Sequence, residues 1–324
     1  MAYGPYRNSL DDINFYLPDD QRRIFSREKI TRMEGFCAEV VFDEDIVSKY
    51  LSPVTGDFWF SLKPGGYHIQ KLVAGYDQPL NRLDYLLLDA FTAVEPVLQV
   101  SIAYFDGDEK EFRQFEHVNG RRYMGLRGLG EMIGRLKPLN IPESRRTYGD
   151  RFEKVYDFLK ERGPLTELAI KRVFANFWLS DFSWDIDLFT ITEDERIVAL
   201  EVKHKYPSQY PSFGLNAGLK YLLDFLREKI NVETVHVVLQ KPDTGTPAID
   251  LLTKKEWIEE TEWKYTLIEN DKLVRAREGA PKETSYGEDM LQGYFHIPLK
   301  YWKVLKMMNE DSANVRERLL EGIR

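Results

Sequence analysis

Three charged residues in the second half of the chain have the types and spacing that metal-dependent hydrolysis requires. Asp187 lies 14 residues before Glu201, and Lys203 follows Glu201 by two positions. Two carboxylates that converge on one point repel each other unless a cation bridges them, and hard oxygen ligands favour Mg²⁺ or Mn²⁺. A lysine beside that ion can orient or deprotonate an attacking water and stabilise charge on a phosphate. The expected chemistry is phosphodiester hydrolysis.

A tight β-hairpin would bring these three side chains together. The runs 185–191 and 197–203 are rich in strand-forming residues and are joined by the polar turn TEDER. Because side chains alternate along a strand, Glu201 and Lys203 share one face and Val202 faces the other. A carboxylate in the otherwise apolar run VALEVK is costly to bury, which favours a functional role over an ordinary exposed pair.

Helices and a further strand surround this hairpin. DRFEKVYDFLKER predicts a helix that ends at Gly163, and Pro164 suits the first turn of a second helix. After the hairpin, leucines at helical spacing in GLNAGLKYLLDFLREKI predict an amphipathic helix. VETVHVVLQ then predicts a strand in which His236 is a packed residue. The order is therefore helix, strand, strand, helix, strand.

This order, together with the D…ExK spacing, resembles the PD-(D/E)XK nuclease superfamily, especially its restriction-endonuclease-like and Holliday-junction-resolvase-like branches. The resemblance covers 150–242 and centres on WDIDLFTITEDERIVALEVKHK. It implies an α/β fold whose core has the order α-β-β-α-β and a mixed sheet flanked by helices. It also implies that Asp187 and Glu201 bind Mg²⁺, with Mn²⁺ as a substitute, and that Lys203 assists the attacking water.

Two further acids are linked to this site. Many members of the family supply a glutamate from the preceding helix, and Glu167 fits that catalytic place. It lies on one helical stripe with Ile170 and Phe174, so we expect it to face inward. Asp185 competes with Asp187 as the metal ligand because the two share one strand face, although the 14-residue gap to the ExK glutamate favours Asp187.

Basic residues outside the hairpin are candidates for nucleic-acid binding. Residues 113–146 include eight basic and three acidic side chains, a local balance of +5 in a chain of −8. Interleaved glycines predict a loop that meets a phosphate backbone, or else a solvated connector. The candidates there are Arg121, Arg122 and Arg127. Lys205 directly follows the motif, where a solvated strand end is the alternative. Lys220 or Asn216 would supply the polar residue that the family's next helix often carries into the site.

Composition limits the class of protein. With 324 residues, 43% hydrophobic and 13% aromatic, the chain is too apolar to be disordered. A net charge of −8 argues against a wholly electrostatic nucleic-acid binder. The single cysteine, Cys37, excludes an internal disulfide and favours a reducing compartment. We find no signal peptide and no membrane-spanning run, so we expect a soluble cytoplasmic protein without a membrane partner.

The patterns predict three parts of the chain. Residues 1–147 would form an N-terminal α/β domain that positions or senses substrate, 148–242 the nuclease core, and 243–324 a C-terminal extension. The stretch 119–148 contains glycine, arginine and proline and is the expected linker. A docking or dimer helix is expected from about Pro298.

The expected function is a Mg²⁺-dependent endonuclease that hydrolyses DNA, with restriction or defence as its role. The family implies that one such centre cuts one strand, so we expect a homodimer for double-strand breaks. Two alternatives stay open. The first is a nuclease acting on RNA or on repair and recombination intermediates. The second is a non-catalytic DNA-binding subunit of the same fold, against which the intact Asp187, Glu201 and Lys203 count.

Overall fold

The structure is a computed structural model, and it is mixed α/β, as the sequence predicts. Its contacts divide the chain into two compact units: Met1–Asp43 with Pro53–Ile186, and Glu44–Ser52 with Asp187–Arg324. The residues that it describes are 30–73, 79–117, 121–128, 150–163, 165–178, 183–192, 194–208, 211–243, 245–275, 293–308, 315 and 317–319.

The first unit contains a mixed sheet and several helices. The helices are α1 (Ile30–Phe42), α2 (Arg82–Thr92), α3 (Asp150–Arg162) and α4 (Leu165–Trp178). The strands are β1 (Asp57–Lys63), β2 (Gly66–Val73), β3 (Val97–Asp106), β4 (Glu111–His117), β5 (Arg121–Gly128) and β6 (Ser183–Ile186). Their order in the sheet is β5-β4-β3-β2-β1-β6, and of the described strand pairs in this sheet β2–β3 is parallel and the others are antiparallel.

Local sequence signals explain where two of these helices begin or end. At the start of α2, the Asn81 side chain accepts a hydrogen bond from the Asp84 backbone N–H at 3.0 Å. The Asp84 carboxylate accepts one from the Asn81 N–H at 2.7 Å, which completes a capping box. At the end of α3, Gly163 takes a φ of 86°, which glycine adopts without strain, as the predicted stop requires.

The segment that carries Arg121, Arg122 and Arg127 is a strand, so the prediction of a loop there is wrong. β5 pairs antiparallel with β4, with Glu116 opposite Arg122. The glycines of β5 do not interrupt the ladder. A register shift between Gln114 and Phe115 accommodates one additional residue of β5 as a bulge. The rest of the predicted linker, 129–149, lies outside the described residues. Contact of the three arginines with nucleic acid stays a prediction.

The second unit contains two sheets. A π-helical stretch (Asp43–Val47) and a helical turn (Ser48–Tyr50) lead into it. Its strands are β7 (Leu188–Ile191), β8 (Ile197–Lys205), β9 (Ser212–Asn216), β10 (Glu233–Gln240), β11 (Glu262–Leu267), β12 (Val274–Arg275), β13 (Tyr294–Pro298) and β14 (Lys303–Met307). Its helices are α5 (Ala217–Ile230), α6 (Ala248–Thr253) and α7 (Lys255–Ile258), with 3₁₀ turns at Asn270–Lys272 and Leu299–Tyr301.

The larger sheet has the order β14-β11-β10-β8-β7, and the smaller one has the order β12-β13-β9. The predicted hairpin is confirmed for 188–191 and 197–200, which pair antiparallel as parts of β7 and β8, whereas 185 and 186 pair with β1. The chain then passes through β9 and α5 to β10, which is parallel to β8. Helix α5 begins at Ala217 because the Asn216 side chain caps it, accepting the Gly218 N–H at 2.7 Å.

The structure divides the chain differently from the predicted three parts. The boundary between Ile186 and Asp187 falls inside the predicted core, because β6 pairs with β1 while β7 pairs with β8. The predicted extension shares a sheet with the core, since β11 and β14 continue it from β10. Such non-local pairing has no sequence signal of its own.

The helix expected from about Pro298 is also wrong. The chain there forms a 3₁₀ turn and then β14, which pairs antiparallel with β11 and buries Leu305 completely. The spacing of its apolar residues is compatible with a helix or with a strand. The segment forms a strand because it pairs with the edge of β11. Among the described residues, no helix combines the length and the apolar character needed to cross a membrane.

Candidate active site

Asp187 lies at the bend between β6 and β7, next to the end of the β7–β8 ladder. Because Leu188 pairs with Leu200, continuing the register by one residue brings Asp187 beside Glu201. The Asp187 side chain is buried, and its Oδ2 accepts the Val202 backbone N–H at 2.7 Å. This hydrogen bond fixes the carboxylate against β8 and offsets part of the free-energy cost of burying it.

Lys203 joins the two predicted metal-binding carboxylates. Its Nζ lies 3.0 Å from Asp187 Oδ2 and 2.7 Å from Glu201 Oε1. Both carboxylates are 4% exposed, whereas the Lys203 side chain is 36% exposed. The cluster therefore consists of two buried carboxylates and one lysine whose side chain is partly exposed.

The apolar residues of β8 explain why these carboxylates are buried. Val198, Leu200 and Val202 occupy alternate positions and pack one face of the strand, and Ala199 is buried on the other. A strand covered on both faces is typical of the centre of a mixed sheet. Glu201 is held in this apolar strand, where only its charged neighbours offset the desolvation of its carboxylate.

His236 of β10 lies directly opposite Glu201 across the parallel pair. Its Nδ1 is 3.1 Å from the Glu201 carbonyl oxygen, which can only accept, so the neutral ring donates from Nδ1. Burial, followed by the charges of Lys205 and Lys203, lowers the pKa of His236 well below its usual value. The sequence predicts a packed strand histidine, which is confirmed. Its position beside Glu201 depends on a strand pairing that the sequence does not show.

Lys205 is the next residue on the same face of β8. Its Nζ donates a hydrogen bond to the Gly214 carbonyl oxygen. Burial, followed by the charge of Lys203, lowers the pKa of Lys205 to about 8, and Glu201 opposes this shift. Lys205 is therefore packed against β9, with its ammonium bound to a backbone carbonyl.

Lys220 and Asn216 are occupied within the fold. The Lys220 ammonium pairs with Asp224 one turn along α5, and it lies 5.6 Å from the centre of the Phe295 ring. Its side chain is 12% exposed. Asn216 uses its side-chain oxygen as the helix cap. These contacts give no support to either residue as a contact for substrate.

Glu167 faces inward as expected, in a buried ion cluster of the first unit. It lies 3.4 Å from Lys171, which is 2.7 Å from Asp57. Burial raises the pKa of Glu167, while Lys171 opposes that rise. Asp185, the alternative metal ligand, is exposed on β6 opposite Trp59. The carboxylate that contacts the ExK lysine is thus Asp187.

The second unit brings together two carboxylates, the type of ligand that a hard divalent cation takes. Asp187 and Glu201 are two carboxylates that lie within 3.0 Å of one ammonium nitrogen, so they converge on one point. Mg²⁺ is commonly bound by one or two carboxylates, with waters and substrate phosphates as its other ligands. A larger group, of three or more His, Cys, Asp or Glu side chains placed to hold a metal, does not occur in the part of the chain that the structure describes.

Comparisons with protein-family models, curated proteins and solved structures gave no match for this chain.

Proposed function

We propose that this protein is a metal-dependent endonuclease with a PD-(D/E)XK-like core, which hydrolyses DNA phosphodiester bonds in a restriction or defence role. The observation that carries the proposal is the position of Lys203 Nζ, 3.0 Å from Asp187 and 2.7 Å from Glu201. These are the three residues that the D…ExK pattern singles out. In metal-assisted hydrolysis a carboxylate-bound cation acts as Lewis acid and water activator, and a nearby ammonium can stabilise the charge that develops on the phosphate.

The topology around the three residues gives further support. β7 and β8 form an antiparallel pair, and β9 and α5 connect β8 to the parallel strand β10. The strand, strand, helix, strand order that the resemblance implies occurs here with one additional strand, β9, before the helix. Ligand sites in open α/β sheets lie near the carboxyl ends of parallel strands, and Lys203 is in the last third of β8.

In this proposal each residue has a defined task. Asp187 and Glu201 would hold Mg²⁺, which supplies Lewis-acid activation of the phosphate and of a bound water. The Val202 N–H keeps the Asp187 carboxylate in place. Lys203, whose side chain is partly exposed, would orient the attacking water and stabilise the charge that develops on the phosphate oxygens. His236, bound to the Glu201 carbonyl, fixes the backbone of the second ligand.

One observation favours a second candidate, a non-catalytic DNA-binding subunit of the same fold. Lys203 contacts both carboxylates directly, so the cluster already has a cationic partner within the protein. A buried ion cluster of this kind can serve the fold alone. DNA binding by a protein that shows no metal-dependent cleavage would favour this candidate.

The test is cleavage of supercoiled plasmid, single-stranded DNA and RNA with Mg²⁺ or Mn²⁺, with EDTA as the metal-free control. We expect cleavage that EDTA abolishes and that Lys203→Ala lowers at least about a hundredfold, since removal of one charge-stabilising group costs about that much. Lys254→Ala is a matched control, because Lys254 is also partly exposed (43%) and pairs with Asp250 at 2.9 Å. Equal activity of the two variants, or no cleavage of any substrate, would contradict the proposal.

A further inference from the structure

An exposed tyrosine directly follows the strand that carries the candidate site. Tyr206 comes after the last residue of β8, and its side chain is 44% exposed. It lies three residues beyond Lys203, which corresponds to about 10 Å along a strand. A nucleic-acid strand covers that distance with about three nucleotides at the roughly 3.4 Å rise of a stacked strand.

Other aromatic side chains lie close to Tyr206. Burial raises the pKa of Tyr294, and the proximity of Tyr206 raises it further. Tyr294 and His296 occupy alternate positions of β13 and so share one face, with their ring centres 6.3 Å apart. We call Tyr206, Tyr294 and His296 the aromatic surface.

Gly214 gives this surface its shape. It pairs with His296 in the β9–β13 ladder, and a side chain at this position would collide with the ring of Tyr294. The absence of a Cβ therefore lets the Tyr294 ring lie close over the backbone of β9. The Gly214 carbonyl also accepts the hydrogen bond from Lys205, which connects this surface to the strand face that carries Lys203.

The chemistry of the surface indicates what it binds. Tyrosine and histidine rings stack on nucleobases, and this requires bases that are not already stacked within a duplex. Lys203 and Lys205 follow Glu201 along β8 and precede Tyr206 in the chain; the Lys203 side chain is partly exposed, and Lys205 donates to the Gly214 carbonyl. Because the chain as a whole carries −8, attraction of a polyanion has to come from such a local group of cations.

We propose that the aromatic surface binds unpaired nucleobases, so that the preferred substrate is single-stranded or locally unpaired nucleic acid. This inference rests on the proposed nuclease function and names the form of its substrate. A bound strand would place its bases on Tyr206 and its neighbours and its backbone near Lys203. Intact duplex, whose bases are stacked internally, would contact Lys203 but not the rings.

The experiment measures binding of the full-length protein to a short labelled single-stranded oligodeoxynucleotide and to the same sequence as a duplex, in EDTA. We expect Tyr206→Ala to weaken single-strand binding about tenfold and to change duplex binding by less than about twofold, as stacking of one base predicts. Tyr206→Trp, which keeps a stacking ring, should bind single strands at least as tightly as the unmodified protein. Tyr85→Ala is the matched control, because Tyr85 is equally exposed (44%) on α2 of the first unit.

Three results would overturn the inference: no single-strand binding, equal loss for both forms of DNA, or equal effects of Tyr206→Ala and Tyr85→Ala. Because binding is measured without metal, it is separate from cleavage. Selective single-strand binding without any metal-dependent cleavage would support the inference and contradict the proposed catalysis. Metal-dependent cleavage without the Tyr206 effect would support the catalysis and contradict the inference.

Discussion

Each unit contains a lysine that pairs with two buried carboxylates, and the two clusters differ in the exposure of that lysine. In the first unit, Lys171 Nζ lies 2.7 Å from Asp57 and 3.4 Å from Glu167, and its side chain is 8% exposed. In the second, Lys203 Nζ lies within 3.0 Å of both of its carboxylates, and its side chain is 36% exposed. The two clusters contain the same types of charged group, but the lysine side chain is more exposed to solvent in the second cluster than in the first.

This difference separates a structural role from a chemical one. A fully buried ion cluster cannot exchange partners without opening the fold, so its charges serve to hold elements together. Although burial alone would lower the pKa of Lys171, Asp57 and Glu167 raise it, so the ammonium stays charged. The Lys203 side chain is partly exposed, so solvent reaches part of it while both carboxylates stay buried. The comparison therefore supports assigning the chemistry to the second cluster.

The largest expected effect is on stability, from removing the buried lysine. Lys171→Met leaves Asp57 and Glu167 buried without that ammonium, and loss of one partner of a buried pair costs about 3–5 kcal/mol. The equivalent change Lys203→Met also leaves two buried carboxylates, but we expect a smaller loss in the free energy of unfolding, because the Lys203 side chain is 36% exposed and solvent screens part of its interaction. Urea unfolding of the two variants measures both values. Similar losses in the two variants would remove the distinction between the clusters.

The next effect is on cleavage and compares two neighbouring aspartates. Asp187→Asn keeps the shape of the side chain but removes a carboxylate that contacts Lys203, so we expect at least about a hundredfold loss of metal-dependent cleavage. Asp185→Asn changes an exposed carboxylate on β6, and we expect activity within about twofold of the unmodified protein and stability within about 0.5 kcal/mol. Plasmid cleavage assays at fixed Mg²⁺ compare the two. A larger loss for Asp185→Asn would restore it as the metal ligand.

Much of the second unit's hairpin is predictable from sequence because its signals are local. Strand-forming runs on either side of a polar turn predict β7 and β8, and alternation predicts that Glu201 and Lys203 share a face. The 14-residue gap favours Asp187 over Asp185, and the contact of Asp187 with Lys203 agrees with that preference.

The features that the sequence does not predict depend on distant pairing. The exchange of sheets at Asp187, the position of His236 beside Glu201 and the addition of β14 to the sheet each join segments far apart in the chain. The aromatic surface is of this kind too, because Tyr206 and Tyr294 are separated by many residues. Arg122 shows the converse error, since composition indicated a loop where pairing with β4 makes a strand.

The smallest expected effect is the pH dependence of the buried cluster. Burial raises the pKa of Glu167 above that of an unfolded chain, so between these two values the folded state binds a proton that the unfolded state does not. Its contribution to stability is therefore fully present below about pH 4.5 and is lost as pH rises through the folded value. Glu167→Gln, which is neutral at every pH, removes this dependence.

Unfolding in urea between about pH 4.5 and 7.5 compares Glu167→Gln with the unmodified protein. We expect the stability of the unmodified protein, relative to the variant, to fall as pH rises, because the folded state loses the proton that it binds at low pH. The exposed Asp194 provides the opposite sign, because the hydrogen bond from Thr192 lowers its pKa. Asp194→Asn is therefore the control that should not reproduce the effect. A relative stability that instead rises with pH would mean that the Lys171 charge outweighs desolvation, and that Glu167 is held as a carboxylate in a cluster more like that of Lys203.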